Sequence, residues 1–109
     1  MADIFNEREK GYEAKFKLDQ DTEFRIEARR NKLLGLWLAE RMGLPASEVD
    51  DYAKEVVVAD LKEPGIEDVV SKVMTDIADR KSDVTEDQVR DKIVEFQAEA
   101  AKQVTGNAS

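Results

Sequence analysis

Apolar positions recur at helical spacing along most of the chain, and polar or charged residues fill the intervals. The densest run, Leu33 to Leu38, holds the sole tryptophan, Trp37, within the stretch Phe24 to Leu44. Charge flanks it at Arg25, Glu27, Arg29, Arg30, Lys32, Glu40 and Arg41, so it reads as a helix and not as a membrane span. Ile26, Leu33 and Trp37 fall on one side of that helix; Phe24, Ala28, Leu38 and Met42 fall on a neighbouring side. Leu34 and Leu36 widen the arc, which predicts more than one packing partner. Gly35 gives up about 1 kcal/mol of helix propensity relative to alanine and opens room for a close neighbour. Trp37 on such a face is expected in the core.

Downstream, Val49, Tyr52, Ala53, Val56 and Val57 follow the i, i+3, i+4, i+7, i+8 rule, with Ser47 expected at the N-cap. Ile66, Val69, Val70, Val73, Met74 and Ile77 make a third stripe; Val89, Ile93, Phe96, Ala100 and Val104 make a fourth. Thr85 and Gln88 have capping-box spacing, with Val84 just before them. Gly43 with Pro45, and Pro64 with Gly65, mark helix stops. These signals predict an all-α, compact four-helix bundle over residues 19–105, with helices at about 19–42, 48–62, 66–80 and 86–104, and a loose tail at 106–109.

Residues 1–18 stand apart. Phe5, Tyr12 and Phe16 lie on one helical face in an otherwise charged segment, and Gly11 interrupts it. A stripe so thin predicts a flexible, partly helical arm that is marginal in water. A frayed extension of the first helix fits the same residues equally well. Asp19 to Glu23 either caps the main helix or lies within one long helix starting near residue 5.

Composition narrows the chemistry. The 109 residues suit one domain, and the chain contains no cysteine or histidine, which removes thiolate chemistry and the commonest general base. Serine, threonine and tyrosine have no histidine to activate them, so an enzyme is disfavoured and no catalytic residue is assigned. The net charge is −8; residues 1–44 are balanced, and the whole acidic excess falls in residues 45–109. That distribution argues against nucleic acid as a partner. The acid pairs Asp50–Asp51, Glu67–Asp68 and Glu86–Asp87 lack calcium-loop spacing and read as helix N-terminal charges, so no metal site is expected. Neither an apolar leader nor a membrane-length run is present, which suggests a cytoplasmic monomer. Arg29, Arg30 and Lys32 form the one compact basic cluster, open to a nucleotide's phosphates or an acidic surface, although a solvated helix face is the simpler reading.

At Tyr12-Glu-Ala-Lys-Phe16, and then over Glu27-Ala-Arg-Arg-Asn-Lys-Leu-Leu-Gly-Leu-Trp37, the chain resembles the zeta subunit family, the ATPase inhibitors of certain bacterial F-type ATP synthases. The likeness runs on through Tyr52 to Asp60 and Pro64 to Asp68, and lapses only in the last few residues. It implies a peripheral association with the inner membrane through the synthase. Its partners would be the catalytic head's alpha and beta subunits and the central stalk. The inhibitory segment would enter a catalytic alpha/beta interface, become helical there and block hydrolysis, while the helical body anchors the protein outside the head. Phe5, Arg8, Tyr12, Glu13, Lys15 and Phe16 would contact the partner. The resemblance also implies weak ATP or ADP binding, for which Arg29, Arg30 and Lys32 are the candidates. A small adenine-nucleotide-binding sensor is the alternative. Gly11 departs from the better helix formers expected in a strong inhibitory arm, which suggests reduced potency.

Overall fold

The computed structural model describes residues 19–61 and 65–106. The proposed arm at 1–18, the Lys62 to Pro64 part of the second helix stop, and residues 107–109 of the expected tail lie outside them. Among the described residues there are four helices and no strand: α1 (Gln20–Arg41), α2 (Ala46–Asp60), α3 (Glu67–Asp79) and α4 (Glu86–Thr105).

Helix α1 is the axis of the bundle, with most interhelical contact made by α1 against α2 and against α4. Asp19 starts it: its side chain accepts from the Thr22 amide at 2.7 Å, which holds its carboxyl below the usual value. At the other end Gly43, at φ 73°, takes the left-handed turn that releases the chain, and the Leu44 amide reaches back to the Ala39 carbonyl. Helix α4 opens with the expected capping box: Thr85 and Gln88 each accept from the other's amide. Val84 and Val89, both buried, bracket the box as a hydrophobic staple.

Two expectations are corrected. Ser47 does not cap α2; Pro45 occupies the N-cap with φ −61° and ψ 150°, and no side chain bonds the first turn. The buried Leu44 and the fixed proline φ set the entry, so the helix starts two residues earlier than 48. Trp37 is half-buried at the edge of the core. Its ring lies between the cations of Arg41, 5.6 Å from its centroid, and Lys92, at 5.4 Å. Because helices pack on both flanks of α1, its fully buried line runs between the two predicted sides, through Ile26, Leu34 and Leu38. Phe24 is left 49% exposed.

The second, third and fourth stripes are buried or half-buried throughout. The shortest helix, α3, is also tied down by polar clamps. Tyr52 of α2 donates to Asp76 at 2.8 Å, and Lys72 reaches both Asp76 and Glu55. From α4, Arg90 grips both carboxylate oxygens of Glu67, at 2.9 and 3.1 Å, and lowers the Glu67 pKa.

Helices α1 and α2 approach closely at Gly35. A Cβ there would sit 2.6 Å from the Ala53 Cα on α2 and 3.2 Å from its Cβ. Backbone cannot yield as a side-chain tip can, so the sequence expectation of a close neighbour at Gly35 holds. Gly35→Ala should lower unfolding free energy by about 2 kcal/mol, overpacking outweighing alanine's propensity gain of about 1 kcal/mol. A urea titration reads the change; an unchanged or higher midpoint contradicts it.

Tyr52 supplies a pH dependence. Its burial, then the adjoining Asp76 carboxylate, raise the phenol pKa well above the ordinary 10.0. The folded value exceeds the unfolded one, so the neutral, bonded phenol stabilises fully below about pH 10 and loses its effect as pH climbs beyond. Tyr52→Phe should cost about 1 kcal/mol at neutral pH and less in alkali. Denaturation at the two pH values checks this, and equal losses at both refute it.

Candidate functional site

The basic residues of α1 do not act as one cluster. Successive helical residues are about 100° apart, so Arg29 and Arg30 diverge. Arg25, Arg29 and Lys32, at i, i+4 and i+7, share an exposed edge, whereas Arg30 turns inward and is 6% exposed. This corrects the expectation of a common surface for Arg29, Arg30 and Lys32.

Arg30 binds three other helix positions. Its Nη2 lies 3.4 Å from Asp60 Oδ2 at the end of α2, Nη1 donates to Gln97 of α4 at 3.0 Å, and Nε donates to Asn31 Oδ1 at 3.0 Å. The Arg30 and Asp60 side chains are both nearly dry. Asn31 is fully buried, and its Nδ2 has no hydrogen-bond partner among the described residues. A buried guanidinium must be paired or it destabilises strongly, so this network ties the middle of α1 to the end of α2 and the middle of α4 in one polar knot.

Beside the knot, on the surface, Phe24, Arg25, Ala28, Arg29, Lys32, Val57 and Val104 line an open groove of about 330 Å³. Its floor is apolar and its α1 rim carries three cations. Arg25 bonds Asp21 at 2.9 Å in an exposed pair; Arg29 and Lys32 have no ion-pair partner among the described residues. The i, i+4, i+7 spacing of these cations was visible in the sequence. The contribution of Phe24, Val57 and Val104 was not, since three helices supply it. Among the described residues no group of three or more acids is placed to hold a metal ion, and no helix is long and apolar enough to cross a membrane.

The candidate partner-contacting residues Phe5, Arg8, Tyr12, Glu13, Lys15 and Phe16 lie outside the described residues. Asp19, the first described residue, caps the end of α1 that bears the groove.

Asp60→Ala should strip the buried Arg30 of its counter-charge and cost about 3 kcal/mol. Arg29→Ala and Lys32→Ala, on the solvated edge, should each stay within about 0.5 kcal/mol of the parent. Chemical denaturation of the three variants tests the division; comparable losses in all three would contradict it.

A comparison with curated proteins returns no match. A solved structure titled "Solution NMR structure of the protein" is 44% identical and superposes with a TM-score of 0.68, covering 78% of this chain and 96% of its own. The family model for ATPase inhibitor subunit zeta matches residues 1–103, from the charged leading segment through nearly all of α4. The chain belongs to the ATPase inhibitor subunit zeta family.

Proposed function

We propose that this protein is an inhibitory subunit of an F-type ATP synthase, acting as a steric wedge without chemistry of its own. The observation that carries the reading is the family match, which begins at residue 1 and so includes the segment with Phe5, Tyr12 and Phe16. That segment inserts into a catalytic alpha/beta interface and reaches the central stalk, while the four helices hold the protein on the head. Each catalytic interface must open and close as the rotor turns, and a helix lodged in the cleft raises the cost of that step. The ordering entropy of the segment is offset by burial of its three aromatics and pairing of its charges, among them Arg8, Glu13 and Lys15.

A second reading, adenine-nucleotide binding, draws on the groove. An aromatic, Phe24, stands beside Arg25, Arg29 and Lys32 there, while the buried Arg30 is withdrawn from any phosphate. Weak ATP or ADP binding at Arg29 and Lys32 would be a regulatory addition to inhibition.

Removing residues 1–18 should abolish inhibition of ATP hydrolysis by purified heads and leave the thermal transition of the bundle in place. Gly11→Ala in the full chain should tighten inhibition roughly fivefold, since about 1 kcal/mol of helix propensity is recovered on binding. Inhibition that survives the truncation would defeat the wedge.

A further inference from the structure

Large apolar side chains are exposed on the described surface at four positions. Phe24, Val58 and Leu61 are 49%, 53% and 57% exposed, and lie at the start of α1 and the end of α2; Val94 stands alone on α4. Val57 and Leu61 lie one turn apart at the end of α2, and Val57 shares the groove with Phe24, whereas Val58 lines a separate hollow with Asp51, Lys54, Glu55, Ala59 and Lys72. Groove and aliphatic face are therefore continuous, bordered on the α1 side by Arg25, Arg29 and Lys32. Exposed apolar patches rimmed by charge mark interaction surfaces.

Charge identifies the occupant. Residues 1–18 contain equal numbers of acids and bases, so the whole −8 resides in the rest of the chain. On that acidic body this edge gathers three cations within eight residues, two of them without an ion-pair partner among the described residues. We propose that this face is the body's docking surface for an acidic, amphipathic segment on the outside of the ATPase head. Apolar side chains of that segment cover Phe24, Val57 and Leu61, and its carboxylates meet Arg29 and Lys32. The assignment rests on the inhibitory reading above and adds to it the face and the chemistry of the anchor.

A nucleotide fits this face less well. A base could stack on Phe24, but nothing in a nucleotide would cover Leu61 beyond the groove. At the start of α1 the Thr22 amide is already taken by Asp19 and is closed to a phosphate. A protein segment uses both the aliphatic face and the cations, and its carboxylates need to reach only Arg29 and Lys32, one and two turns further along.

The test uses the full chain and purified catalytic heads. Phe24→Asp, Leu61→Asp and the double variant Arg29→Glu with Lys32→Glu change exposed side chains, and thermal melts verify that each stays folded. Binding to heads is measured by titration, and residual ATP hydrolysis is read at saturating inhibitor. Each variant should bind about tenfold or more weakly, as expected for a hot spot. At saturation hydrolysis should fall to the level reached with the parent, because the inhibitory segment is unaltered. Parental affinity in all three variants overturns the docking surface and leaves the inhibitory reading standing. Loss of ATP binding by the double variant, with head affinity unchanged, overturns it in favour of a nucleotide site. A parent chain with no affinity for heads removes the inhibitory reading, and the docking surface falls with it.

Discussion

The bundle turns on a contact that leaves no space for a methyl group. At Gly35 the α1 backbone lies against Ala53 of α2, and this approach sets how the two helices run past each other. Two results follow at the far end of the crossing. Asp60 arrives within reach of Arg30, and Val57 arrives beside Phe24. The polar knot inside and the groove outside thus share one cause. A larger residue at position 35 would disturb both by moving α2 as a body.

Arg30 shows how a charged residue can belong to a core. Its donors are shared among Asp60, Gln97 and Asn31, so the three long helices meet only in the arrangement that satisfies them. Such a network adds less to stability than an apolar replacement would, but it discriminates against shifted packings that leave the guanidinium dry and unpaired. The Asn31 amide, without a partner among the described residues, costs about 1–3 kcal/mol by the usual penalty for a buried donor. Outside, the same stretch of α1 presents Arg25, Arg29 and Lys32 to solvent. One short segment therefore holds the body together with one basic residue and offers a charged edge with its neighbours.

Much of the architecture could be read before any coordinates. The stripes of α2, α3 and α4 follow from spacing alone because each of these helices buries a single face. Thr85 could be identified as a cap because its chemistry is local, whereas the sequence left open whether Asp19 or Asp21 capped α1 or one long helix ran through both. Helix α1 resisted that reading: with helices on both flanks, periodicity marks a broad apolar arc without saying which part of it is covered. Hence Trp37 came out half-buried and Phe24 exposed. Ser47 misled because a good capping residue stood two positions after a proline that had already fixed the helix entry. Arg30 was grouped with its sequence neighbours, although one step along a helix changes the direction of a side chain by more than a quarter turn. The groove demanded knowledge of three helices at once, which no local pattern contains.

Helix α3 has a place of its own in this economy. It has 13 residues and borders α2 and α4 through much less contact than α1 makes with either. Several of its ties are ion pairs at or near the surface, from Arg90 to Glu67 and from Lys72 to Glu55. Such ties weaken as mobile ions screen them, whereas the buried bond of Arg30 to Asp60 is largely shielded from that effect. Rising ionic strength would therefore loosen the bundle along the α3 seam first, leaving the three helices that frame the groove still clasped together.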